Sequence, residues 1–180
     1  MKLLYILLFS CLFYNTSQGQ EKFITKQGYT SFFSHSPAED IKADNNQVLS
    51  IIDTSTGDIA ISILMKSFLF EKSLMQEHFN ENYVESDKYP KALFRGKILN
   101  INELGKKKQT VTIAGDLTIH GVTQNIQTQA EIIKKEDNIS LNGNFPVTVA
   151  DFNIKIPRVV IKNIAKTIKV TFEFDHKPYK

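Results

Sequence analysis

The residues best suited to chemistry are four histidines (His35, His78, His120 and His176), one cysteine (Cys11) and scattered carboxylates. A zinc site usually draws two ligands from close in the sequence, and these histidines lie far apart. His78 follows Glu77 in a stretch with helical spacing, but the second histidine of a zinc-binding helix is missing. His120 falls in a turn, where hydrogen bonding is its expected role. Acid–base work needs two carboxyl groups with separated pKa values, and Glu39-Asp40 and Glu85 with Asp87 both lie in stretches that read as solvated loops. There is no Gly-x-Ser-x-Gly elbow for a nucleophile and no glycine-rich loop for a phosphate. An enzyme would need His120 or His78 to meet a carboxylate inside the fold, and no motif supports that. The expectation is no metal site, no cofactor and no catalytic activity.

What remains is apolar. The chain has 13 Phe and 6 Tyr in 180 residues, which implies a large apolar interior, either filled by side chains or left as a lined cavity. Composition alone favours the filled core, because protein interiors are close-packed. The net charge of +3 is too small for a nucleic-acid surface. Lys106-Lys107-Lys108 follows Gly105 without interleaved aromatics and reads as a solvated hairpin tip.

The elements that must hold this interior are strands. Apolar residues alternate with polar ones over Val111–Ile119, Ile126–Ile132, Ile139–Val147 and Ile168–Phe174, and Ile59, Ile61, Ile63 and Met65 alternate with Ala60, Ser62 and Leu64. One apolar and one polar face per strand marks an antiparallel sheet with one wet side. Short turns at Ser55–Asp58, Leu104–Lys106, His120–Val122 and Lys135–Asn138 join neighbours as hairpins. The period changes over Glu71–Asn82, where Leu74, Met75, His78 and Phe79 share one face of a short helix set against one end of the fold. Pro90 then enforces an extended start to the strand over Ala92–Ile101. About eight strands and one helix suit an all-β, antiparallel eight-stranded barrel, with a two-sheet sandwich as the less favoured arrangement.

The amino terminus reads as a secretory signal over residues 1–19: Lys2, an apolar stretch from Leu3 to Tyr14 too short to span a bilayer, then small and polar residues before Gln20. This predicts a periplasmic or secreted protein with one domain over 20–180 and no stable membrane span. Removal of Cys11 with the signal leaves no thiol for a disulfide, a metal or a nucleophile.

Several motifs carry a family likeness. Gly115-Asp116-Leu117-Thr118-Ile119-His120-Gly121-Val122-Thr123 resembles the strand–turn–strand signature of the YceI-like family of lipocalin-like polyisoprenoid-binding barrels. Ser86-Asp87-Lys88-Tyr89-Pro90-Lys91-Ala92-Leu93-Phe94 is similar to that family's helix-to-strand junction, and Asp151-Phe152-Asn153-Ile154 to its late loop. Ser36-Pro37-Ala38-Glu39-Asp40-Ile41 looks like a variant found in short secreted members. The resemblance implies a long apolar tunnel for an isoprenoid, quinone or fatty-acid-like lipid, without nucleic acid, and it tips the interior from filled core to cavity. The residues then expected to line it are Phe32, Phe68, Phe70, Phe94, Ile98, Leu117, Ile119, Phe145, Phe152 and Phe172, with Leu74 and Phe79 from the helix. Tyr83 and Tyr89, each an apolar ring with a hydroxyl, are the rim candidates. Oligomeric state stays open, with a dimer among the options.

Overall fold

The computed structural model describes residues 22–101 and 104–179, so the apolar amino-terminal segment and Cys11 lie outside the described residues. Among the described residues nine strands form: β1 (Lys22–His35), β2 (Asp40–Asp53), β3 (Asp58–Leu64), β4 (Leu69–Phe70), β5 (Lys91–Leu99), β6 (Gln109–Ile119), β7 (Val122–Lys135), β8 (Asn138–Thr148) and β9 (Thr167–Pro178). One short helix, α1 (Ser73–His78), continues into a wider π-type turn over Phe79–Tyr83. All pairings are antiparallel. Their order is β1-β9-β8-β7-β6-β5-β3-β2, and β2 pairs back onto β1. Eight strands thus close a barrel, and closure removes the exposed edges an open sheet would present. The two-residue β4 adds to β2 through Ala43↔Phe70 and Asp44↔Leu69.

The turns have local causes. Between β6 and β7, His120 and Gly121 both take positive φ, 51° and 75°, the pattern of a type I′ hairpin whose twist matches the strands. A Cβ on Gly121 would also lie 2.5 Å from the Tyr89 ring, so this glycine lets that aromatic pack flat on the turn.

Inward positions divide the barrel into two halves. At one end the interior is full. Phe23 faces Ile52, Ile52 faces Ile59, Leu141 faces Phe174, and Ile139 faces His176 across the ladders. Phe23, Ile52, Ile132, Ile139, Leu141 and Phe174 are almost wholly buried there. Each such side chain contributes about 1.5–3 kcal/mol by leaving water. The stacked rings of Phe172 and Phe174, 5.5 Å apart, occupy space where a Cβ on Gly143 or Gly28 would stand 2.7 Å or 2.6 Å from a ring carbon. Toward the other end, α1, the turn over Phe79–Tyr83 and the loop from Asn153 to Lys166 cover the barrel mouth.

Candidate functional site

Beneath that cover lies an apolar cavity of about 250 Å³. A void of roughly 150 Å³ already admits a benzene-sized molecule. One wall is aromatic. Phe32 of β1 sits 5.4 Å from Phe68, 5.7 Å from Phe70 and 5.4 Å from Phe79, measured between ring centroids. Phe79 in turn meets Phe70 at 5.1 Å and Phe68 at 5.7 Å. Stacked, tilted and edge-on contacts of this kind hold the rings to one another along one wall. The rest of the lining is mainly aliphatic: Val147 of β8, Ile168 and Val170 of β9, and Ile156, Val160 and Ile164 of the loop, with the Phe145 ring of β8 among them and Val170 beside Phe32 in the β1–β9 ladder. Leu117, Ile119 and Ile63 complete the sides.

Few polar groups reach this space. Thr30, Ser31 and Ser34 of β1 are buried beside it. The Thr30 hydroxyl donates to the Thr171 carbonyl at 2.9 Å. Ser34 Oγ accepts the Ala165 N–H at 2.8 Å and so anchors the covering loop to the barrel. At the mouth stand Glu39, His78, Tyr83 and Asn163. Glu39 is neutralised by Lys72, with Nζ at 2.7 Å. Partial burial raises the Tyr83 phenol above its ordinary pKa, which keeps it a neutral hydroxyl able to donate or accept.

Of the residues singled out from the sequence, Phe32, Phe68, Phe70, Phe79, Leu117, Ile119 and Phe145 line the cavity, and Tyr83 stands at its mouth. The others do not. Phe94, Ile98 and Phe172 belong to the filled core, because the strand register places them against other side chains, and Phe152 joins it from the short turn after β8. Leu74 is exposed: a helical step of about 100° turns it away from Met75, which does face the cavity. Tyr89 packs against the ring of His120 at 4.6 Å and under Gly121, away from the rim. The long tunnel is also corrected, since the far half of the barrel is filled. Met65, from an alternating stretch, and Met75, from the apolar helix face, also line the cavity, while sequence reasoning missed the loop residues Ile154, Ile156, Val160 and Ile164. The spacing of Ile156, Val160 and Ile164 at every fourth position was the available signal.

Three histidines find partners, the first being His35 at the surface, whose Nδ1 lies 2.6 Å from Asp40 Oδ1. His120 Nε2 lies 2.6 Å from Glu85 Oε2 and Nδ1 lies 3.2 Å from the Phe152 carbonyl. The bond to His120 holds the Glu85 carboxyl below its usual range. This pair ties the turn before β5 to the β6–β7 hairpin and does not line the cavity. His176 is fully buried in the filled half, where Nδ1–H donates to the Ile139 carbonyl at 3.2 Å and Nε2 accepts from Ser50 Oγ at 2.9 Å. Among the described residues, no three His, Cys, Asp or Glu side chains gather as a metal would require. No described helix is long and apolar enough to cross a membrane.

A family profile described as the YceI-like domain matches residues 23–176. The search of curated proteins found no match. Among solved structures, the chain resembles a polyisoprenoid binding domain from Saccharophagus degradans implicated in plant cell wall breakdown, with a TM-score of 0.77 at 15% identity over 89% of this chain and 99% of that one. It also resembles BcnA of Burkholderia cenocepacia, with a TM-score of 0.70 at 16% identity over 82% of this chain and 95% of that one. A YCEI protein of Campylobacter jejuni follows, with a TM-score of 0.56 at 19% identity over 74% of this chain and 81% of that one. At such identities the likeness speaks for the fold.

Proposed function

The chain belongs to the YceI-like family, and from that premise we propose that it is a non-enzymatic binding protein that holds the apolar part of an isoprenoid, quinone or fatty-acid-like lipid in its barrel. The observation that carries this reading is the apolar cavity of about 250 Å³ with its aromatic wall. Space of this kind, left open in a barrel whose other half is packed, costs stability unless something fills it. Each methylene taken from water into it contributes about 0.8 kcal/mol, so affinity can come from the walls alone. The volume suits a segment of a lipid tail, with the remainder passing out through the mouth. There Tyr83, His78 and Asn163 would orient a polar head. The Saccharophagus degradans neighbour, named for binding a polyisoprenoid, supports the ligand class. The amino-terminal signal pattern supports export to the periplasm or beyond.

The test is organic extraction of purified protein followed by mass spectrometry, with Ala92→Phe as the comparison. Ala92 is buried on the cavity wall, and a ring there projects into the open space. Wild type is expected to release an apolar molecule and to take up an added prenyl quinone. The variant is expected to lose at least about tenfold in uptake while keeping its β-sheet circular dichroism. A wild-type protein that yields no lipid and takes up neither prenyl quinone nor fatty acid would overturn the reading.

A further inference from the structure

The loop that covers the cavity mouth also carries an unusual outer surface. From Phe152 to Phe172 the chain has five cations, Lys155, Arg158, Lys162, Lys166 and Lys169, and no acidic residue. All five are exposed. None forms an ion pair with another described residue, as is also true of Lys26, Lys91 and Lys177, but here five such cations gather on one segment free of acidic residues. Among these cations sit Val159, 90% exposed, and Ile161, 48% exposed. Val160 between them, and Ile164 just beyond, turn the other way and line the cavity. One short segment therefore offers apolar tips and unpaired cations to the outside and the cavity wall to the inside.

We propose that residues 155–166 dock the barrel mouth onto an anionic lipid bilayer, with Val159 and Ile161 entering the acyl region and the cations meeting lipid phosphates. Charge complementarity selects this occupant: apolar residues flanked by Lys and Arg are what an interfacial anchor needs, and anionic headgroups attract such clusters. The helical part of the rim has a different character. There the bend before α1 carries Glu71, α1 carries Glu77 and its continuation carries Glu81, and Lys72 is already paired with Glu39. Docking is thus one-sided and brings the aliphatic wall of the mouth to the bilayer, so that an apolar tail could pass between lipid and cavity without crossing water. The purpose of docking rests on the lipid-binding reading, but the surface itself stands on exposure and charge.

The test is co-flotation of the purified protein with vesicles of phosphatidylcholine alone or with roughly 30% phosphatidylglycerol. Uptake of a fluorescent apolar probe in vesicle-free buffer serves as a separate readout. Wild type is expected to float with the anionic vesicles about tenfold more than with neutral ones, and about 0.5 M salt should abolish most of that difference. Val159→Ser with Ile161→Ser, and separately Lys155→Gln, Arg158→Gln, Lys162→Gln and Lys166→Gln combined, should each reduce flotation at least about fivefold while probe uptake changes less than about twofold. Absence of wild-type flotation, or flotation undiminished in both variants, overturns the docking surface. Flotation lost in the variants together with no probe uptake by any form upholds the docking surface and removes the lipid cavity.

Discussion

The two halves of the barrel are built from the same strands with the same alternation, yet one is packed and the other is hollow. Phe23, Phe172 and Phe174 in the filled half are matched by Ile52, Ile132, Ile139 and Leu141, which meet them from neighbouring strands, and by glycines that clear room for two of the rings. In the hollow half four phenylalanines, Phe32, Phe68, Phe70 and Phe79, contact one another on a single wall. The other side chains around the space, including Val147, Ile168 and Val170, are mainly aliphatic and leave it open. Apolar content is therefore not what separates a core from a cavity. The separation comes from the sizes of the side chains that the strands and the covering loop bring together, and from whether the aromatics satisfy each other first.

The sharpest way to break this comparison is to truncate one ring in each half. Phe174→Ala should cost about 3–5 kcal/mol in denaturant unfolding, because the packed half cannot collapse around the loss. Phe79→Ala removes a ring that already borders open space and should cost clearly less, with a larger cavity and altered probe uptake as its signature. Equal costs would show that the hollow half is as tightly packed as the other.

A smaller effect should appear on acidification. Burial lowers the His176 pKa from 6.5 to about 4, against the bond to Ile139 and the nearby charge of Asp175, which favour the charged form. Above pH 6.5 the ring is neutral in both the folded and the unfolded chain, so it adds no pH dependence. As pH falls from 6.5 to about 4, only the unfolded chain gains the proton, and stability declines by on the order of 3 kcal/mol. Below that the folded ring titrates too and the decline from this group stops. Unfolding curves of wild type and His176→Gln at several pH values isolate the contribution, and parallel curves across this window would remove it.

The smallest effect is expected at Leu74. Its side chain is 59% exposed, so Leu74→Ser should shift stability by no more than about 0.5 kcal/mol and leave lipid uptake unchanged. A marked loss of uptake would place this helix residue back at the site.

Much of this was legible in the strand pattern. Alternation over Ile139–Val147 and Ile168–Phe174 turned the correct side chains inward, and it extends two residues further to His176, whose inward position the same period indicates. The helix over Ser73–His78 was visible in its spacing, but at two turns or fewer its period could not separate Leu74 from Met75. Phe94, Ile98, Phe152 and Phe172 were read as cavity residues because alternation tells which face a side chain takes and nothing about what stands opposite.

By itself, then, the amino-acid sequence determined an antiparallel barrel with an apolar interior, because a period of two and short turns leave few other ways to bury one face of each strand. Only the tertiary structure decided where that interior is full and where it is open. Cavity volume depends on the sizes of side chains brought together from strands far apart in the chain, and on a covering loop whose four-residue spacing does not by itself say which side faces in.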